Sequence, residues 1–236
     1  VSVLIAFAVA TSVQAHRIAI ERDRATLEGN RAEAVSSFML DVFQTTNPIM
    51  SEGREVTARE LLDHAAQRID NELMQQPEVQ ARLEEAIGLS YNRVGNYARA
   101  VTHLKRALQF RQQYSHSDNT AVIALLLELA TAQRENSQLD DAENTLRAAT
   151  ELMAHIEHRK GPERARLLAA TGRLHLDQGD WRRAEKSFAE GVALMHEARG
   201  IEAFELVLAV SELAAVEMWK GDFPAAERMA RESVQN

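Results

Sequence analysis

The chain has 236 residues and a formal net charge of −8, which speaks against nucleic acid, whose phosphates need a basic patch or stripe. It has no cysteine, so disulfides, thiolate metal sites and cysteine nucleophiles are excluded while the redox compartment stays open. Hydrophobic residues make up 45%, with 4 Pro and 10 Gly, and no segment alternates apolar and polar residues over strand lengths, so the expected class is all-α.

The first stretch, "VSVLIAFAVATSVQA", is apolar or small through Ala15, and charge begins at "HRIAIERDR". Spanning ~30 Å of hydrocarbon takes about 20 apolar residues, so residues 1–15 read as a membrane helix cut at its N-terminus. A signal-peptide core ending in "VQA" and a buried soluble helix are the alternatives, the former weakened by the lack of a basic segment before it. The first reading makes the chain a single-pass protein of the inner, cytoplasmic membrane, with residues 16–52 a juxtamembrane helix and loop. Arg17, Arg22, Arg24 and Arg31 close behind the apolar stretch favour a cytoplasmic flank.

From residue 53 onward the chain is organised by repetition. "GNYARAVTHL" at 95, "SQLDDAENTL" at 137, "GDWRRAEKSF" at 179 and "GDFPAAERMA" at 221 start 42 residues apart, and a period of that size indicates stacked supersecondary units. The turn column reads Gly95, Ser137, Gly179, Gly221, suited to the left-handed residue that ends a helix. Asn96, Gln138, Asp180 and Asp222 follow, three of them able to cap the next helix. A bulky column comes next, Tyr97, Leu139, Trp181 and Phe223, expected in the core. An alanine stands three residues on, at Ala100, Ala142, Ala184 and Ala226, and Gly88, Ala130, Gly172 and Ala214 hold the matching place upstream. Small residues on both helices let them approach closely, so each unit is a helix, a tight turn and an antiparallel helix.

A degenerate copy stands in front, where Gly53, Ala58, Leu62 and Ala65 precede Gly95, Ala100, Leu104 and Ala107 by 42 residues. Its first helix falls within "RAEAVSSFMLDVFQ", displaced by the loop "TTNPIMSEGREV". The expected division is therefore 53–80 for this copy and its linker, then units 81–122, 123–164, 165–206 and 207–236, the last one cut short.

A small residue, a turn glycine seven on, an aromatic two later and an alanine three after that resembles the tetratricopeptide repeat, in a variant longer than the usual 34-residue unit. The resemblance implies a right-handed superhelical α-solenoid of antiparallel helix pairs. A narrower resemblance covers roughly residues 1 to 150. "ERDRA", "RAEAVSSFMLDVFQTTNP", "VTARELLDHAAQRIDNEL" and "QPEVQARLEEAIGLSYNRVGNYARAVTHLKRALQFR" are similar to the segment after the membrane helix of bacterial Hanks-type serine/threonine protein kinases with C-terminal repeats. In that family a cytoplasmic kinase domain comes first, and the repeats form a sensory or docking region outside the cytoplasm. A non-kinase scaffold, anchored or secreted, is the alternative.

Catalytic constellations are not evident in the sequence. It contains no Gly-rich phosphate loop and no G-x-S-x-G elbow; "GDF" at 221 is a repeat turn, and "HRK" at 158 lacks the aspartate of a kinase catalytic loop. The chain reads as non-enzymatic and without cofactors; ATP and Mg2+ would belong to an upstream kinase domain. His155 and His158 share a helical face but lack a third ligand at fixed spacing, so a solvated helix end is expected there. Glu84-Glu85 and Asp140-Asp141 read as solvated faces.

What remains is a surface. The tetratricopeptide resemblance implies that the first helix of each unit lines a concave groove. That groove would present Arg82, Glu85, Leu89, Asn92 and Arg93, then Arg134, Arg166 and Arg173, then Met218 and Trp219. Arginines there could hold carboxylates or phosphates of a peptide or protein partner, or merely solubilise the face. The carboxylate clamp of chaperone-binding repeats is not reproduced, because Glu85 and Leu89 stand where that subfamily has Lys and Asn. Partners are thus expected to be proteins or peptides, and the membrane through the N-terminal helix; self-association is left open.

Overall fold

A computed structural model describes residues 2–44, 57–72, 76–114, 119–156, 161–197 and 203–235. Among the described residues there are ten helices and no strand. They are α1 (Ser2–Gln44), α2 (Ala58–Glu72), α3 (Pro77–Arg93), α4 (Tyr97–Tyr114), α5 (Asn119–Glu135), α6 (Leu139–Met153), α7 (Pro162–Asp177), α8 (Trp181–Glu197), α9 (Ala203–Lys220) and α10 (Phe223–Gln235). The chain divides into two compact units, Val1–Leu83 and Glu84–Asn236, the boundary falling inside α3.

In the first unit the apolar start does not stand apart as an element of its own. It is the beginning of α1, a continuous helix of 43 residues whose side chains from Gln14 to Asp23 are exposed. No helix among the described residues is long and apolar enough to cross a membrane. The expectation of a single-pass inner-membrane protein with its repeats outside the cytoplasm is corrected by this finding. Near its C-terminal end α1 contributes the buried Phe38, with the Arg68 guanidinium of α2 5.3 Å from the ring centroid. Ala65, Ala66 and Ile69 on α2 are buried as well. The helix opens with a capping box: the Thr57 N–H donates to Glu60 Oε2 at 3.0 Å and the Glu60 N–H donates to Thr57 Oγ1 at 3.2 Å. Gly53 and the rest of 45–56 lie outside the described residues.

In the second unit four helix pairs follow one another. The chain reverses within each pair at a residue with positive φ: Gly95 (73°), Ser137 (61°), Gly179 (78°) and Gly221 (83°). The same two hydrogen bonds close all four turns. The N–H of Gly95 donates to the Asn92 carbonyl at 3.2 Å and that of Asn96 to Tyr91 at 2.9 Å. The equivalents run from Ser137 to Arg134 and Gln138 to Gln133, from Gly179 to Leu176 and Asp180 to His175, and from Gly221 to Met218 and Asp222 to Glu217. This is the Schellman pattern, which satisfies carbonyls that a helix end would otherwise orphan. Asp180 and Asp222 then cap α8 and α10, each accepting a backbone N–H at 3.0 Å, from Arg183 and Ala225. Gln138 makes no side-chain cap bond.

The small columns allow the close approach that the repeat pattern requires. A Cβ at Gly88 would stand 2.7 Å from Leu104 Cγ, and one at Gly172 would stand 2.7 Å from Phe188 Cε1. Ala100, Ala142, Ala184 and Ala226 are buried, as are Ala130 and Ala214. The core runs from pair to pair. Ile123, Leu126, Leu146 and Met153 of α5 and α6 pack with Leu167 and Leu174 of α7, and Phe188 of α8 packs with Leu213 and Val216 of α9. The aromatics of the bulky turn column, by contrast, are not core: Trp181 is 38% exposed and Phe223 65%, with Tyr97 half-buried, whereas Leu139 packs against the α5–α6 core. The three aromatics sit at the turn ends of their pairs, and Arg182 lies over the Trp181 ring at 4.8 Å.

Between the helices of a pair lies a buried polar position that differs from unit to unit. Tyr91 and His103 stack with centroids 5.3 Å apart, and 42 residues on the Thr145 hydroxyl donates to Gln133 Oε1 at 2.7 Å. His175 with Ser187, and Glu217 with Met229, occupy the corresponding places in the later pairs. In the first pair the position is extended by a charge. Glu84 is 1% exposed, not solvated, with His103 Nδ1 2.5 Å from its Oε2 and Arg106 Nη1 3.3 Å from its Oε1. A buried carboxylate needs such partners.

Candidate functional site

The first helices of the four pairs, α3, α5, α7 and α9, together line a groove of about 520 Å³. Its floor is aliphatic, from Leu89, Leu127 and Ala169, and at one end Phe204 and Leu208 of α9 stand open, Phe204 being 73% exposed. Phe204, Leu208, Ala215 and Trp219 are spaced four, seven and four residues apart, which places them on one helical face over ~22 Å. The opposite face of α9 carries the buried Ala209, Leu213 and Val216. That division explains why α9 is apolar nearly all round: one side serves the core, and the other lines the groove with Phe204 and Leu208 and continues past it to Trp219.

The polar groups of the groove pair across neighbouring units. Arg166 of α7 holds both oxygens of Glu205 on α9, at 3.0 and 3.1 Å, and Arg173 holds Glu212 at 2.5 Å. Arg134 of α5 reaches Asp177 of α7 at 2.7 Å and also pairs with Glu135. Arg111 of α4 binds Glu85, its Nε 3.1 Å from Oε2, and Asn92 donates to Glu128 at 3.4 Å. Bidentate and fork contacts of this kind hold planar guanidinium groups in one orientation.

The structure therefore brings Glu85, Arg166 and Arg173 to the groove lining, with Leu89, and sets the Arg134 side chain in a small recess beside Thr131 and Arg173. Asn92 is half-buried and Arg93 exposed at the end of α3. Met218 and Trp219, 54% and 70% exposed, lie in the last turns of α9 beyond the groove lining. Arg82 is half-buried and belongs to the first compact unit, residues Val1–Leu83. Arg134, Arg166 and Arg173 are already engaged by carboxylates of the chain itself.

Sequence reasoning missed Phe204, Leu208, Glu128 and Glu163 as groove residues. The signal was present: Leu208 falls in the column of Arg82 and Arg166, and Phe204 stands 42 residues after Pro162. Of the carboxylate pairs, Asp140 and Asp141 open α6, while Glu84 is buried as described. His155 is exposed just past α6, and His158 lies outside the described residues. Among the described residues no group of three or more His, Asp or Glu is placed to hold a metal ion.

Residues 79–154 match the family model for the tetratricopeptide repeat. No curated protein sequence matches the chain. Solved structures do resemble it. BtubC (BKLC) from P. vanneervenii aligns with a TM-score of 0.63 at 18% identity, covering 88% of this chain and 89% of that one. MamA from Desulfovibrio magneticus RS-1 aligns at 0.56 and 14% identity, over 87% and 94% of the two chains. PilF of Pseudomonas aeruginosa aligns at 0.56 and 14%, over 87% and 78%. At such identities the likeness is one of fold. The fold is a tetratricopeptide-like helical solenoid, a non-catalytic scaffold of the kind that binds proteins or peptides.

Proposed function

We propose that this chain is a protein-interaction module that docks a peptide or protein segment in the groove lined by α3, α5, α7 and α9. The observation that carries the reading is the groove itself, aliphatic along its floor and open at Phe204 and Leu208. Extended or helical segments bind such surfaces by seating apolar anchors and pairing charge at the rim. The proposed repeats are 81–122, 123–164, 165–206 and 207–236, preceded by a degenerate copy in 53–80. Left-handed turn residues 42 apart support this division. Peptides selected on the purified chain from a random library are expected to lose about tenfold or more in affinity for Phe204→Ser/Leu208→Ser, with an unchanged helical melt. Equal binding to that variant would overturn the docking reading.

The finer proposal places this module in a bacterial serine/threonine protein kinase of the Hanks type, as its docking or sensing region. Its support is the run from "VTARELLD" to "QPEVQARL". Sequencing the coding region upstream of Val1 tests it. A frame with a Gly-rich loop, a V-A-I-K lysine, H-R-D and D-F-G is expected, and a different upstream domain would sink the kinase reading in favour of another scaffold.

A further inference from the structure

The groove has a sign. Four glutamates and two arginines line it: Glu85, Glu128, Glu163 and Glu205 against Arg166 and Arg173. Both arginines are consumed by the chain's own acids, Arg166 by Glu205 and Arg173 by Glu212. Glu85 is matched by Arg111. Glu128 has only the neutral Asn92 amide at 3.4 Å, and Glu163 has no polar partner among the described residues. The arginines that would have offered an anionic ligand a handle are spent, and the charge left over is negative.

Resting on the docking reading above, we propose that the groove selects a cationic segment. Its partner would be a peptide with lysines or arginines spaced to reach Glu128 and Glu163, and an apolar residue seated against Phe204 and Leu208. A free carboxylate beside an apolar floor is satisfied by an ammonium or guanidinium group, whereas an acidic segment would bring like charge to it and would have to break an internal ion pair to gain a partner. Glu128 sits on α5 and Glu163 at the start of α7, so the two acids are on successive units, and a segment that meets both spans those units. The segment must run along the groove across at least two repeats.

The test uses two fluorescent probes of roughly twelve residues, long enough to cover ~18 Å even as a helix. They share the same leucine and phenylalanine positions; one carries lysines and the other glutamates at the remaining charged positions. Anisotropy titrations against the full chain are expected to favour the lysine probe by about fivefold or more, since contacts at partly exposed carboxylates are modest. Raising salt from about 0.05 to about 0.5 M should shrink the preference, because exposed charges are screened within a few Å at high ionic strength. Glu128→Gln/Glu163→Gln should remove the preference and leave the affinity for the glutamate probe no lower. Phe204→Ser/Leu208→Ser should weaken both probes together.

Equal binding of the two probes, or tighter binding of the glutamate probe, with both still weakened by Phe204→Ser/Leu208→Ser, would overturn the cationic selectivity and leave groove docking standing. A lysine preference that survives Glu128→Gln/Glu163→Gln would likewise overturn it. Failure of both probes to bind, or binding indifferent to Phe204→Ser/Leu208→Ser, would overturn the docking reading and the selectivity with it.

Discussion

Ser137 is the one non-glycine residue with positive φ among the described residues, at 61°, and it occupies the place that Gly95, Gly179 and Gly221 hold in the other turns. A Cβ in the left-handed region crowds the following carbonyl, a strain of roughly 1–2 kcal/mol for an L-residue. Ser137→Gly should therefore raise stability by ~0.5–1 kcal/mol after the added freedom of the unfolded glycine is subtracted. Gly179→Ala should lower stability by about 1 kcal/mol, and urea denaturation of the two variants gives the comparison. The turn column was legible because positive φ is a local property that glycine advertises; Ser137 was legible only through the period. Trp181 and Phe223 were misjudged for the complementary reason. Whether a large side chain is covered depends on which helix lies over it, and no pattern within one repeat contains that information. The buried Glu84 was missed likewise, since its partners His103 and Arg106 come from the next helix.

Glu84 belongs to the α3–α4 packing as much as to itself. Removing the carboxylate in Glu84→Ala takes a hydrogen-bond partner from the buried His103 and opens a void, and the expected loss is ~2–4 kcal/mol. A loss under about 1 kcal/mol in chemical denaturation would mean that water reaches the site freely. The link between α8 and α9 has a different character. Lys220 donates to Glu185 at 2.8 Å and to both oxygens of Glu217, and these bonds, that to Glu185 foremost, raise its pKa above 10.5. A cation whose folded pKa is raised contributes fully below the unfolded value and loses its contribution as pH climbs through the folded one. The urea midpoint should therefore be insensitive to Lys220 titration at neutral pH and fall above pH 10.5, and Lys220→Met should show a smaller alkaline fall than the parent chain. The helix pairs themselves were legible in the sequence: small residue, turn, cap and small residue recur, and the capping aspartates Asp180 and Asp222 act as their positions imply. The T-x-x-E of Thr57 and Glu60 was equally readable and went unread.

Across the second unit the pairs meet through adjoining cores and through ion pairs between successive first helices. Arg166 with Glu205 and Arg173 with Glu212 are both separated by 39 residues, three short of the period. Three residues is just under one helical turn, so each arginine leans toward the preceding turn of the next helix. This offset is why the groove's electrostatics could not be read by column: the residues that pair stand in different columns. Nearest-neighbour coupling of this kind predicts graded opening. Amides of α10, which packs on α9, should exchange before those of α5, α6 and α7, which share one core cluster. Uniform protection across all four pairs in hydrogen-exchange mass spectrometry would contradict that order.

The differing polar positions between paired helices have a consequence for assembly. The alanines at 100, 142 and 184 are interchangeable, so that column does not tell one hairpin from its neighbour. The Tyr91–His103 stack and the Gln133–Thr145 bond do. A chain that paired α3 with α6 would leave the His103 ring unstacked and take the hydroxyl on which Gln133 depends, burying an amide without a partner. The first two hairpins thus carry addresses that make a swapped neighbour costly, a safeguard against the misassembly to which tandem repeats are prone.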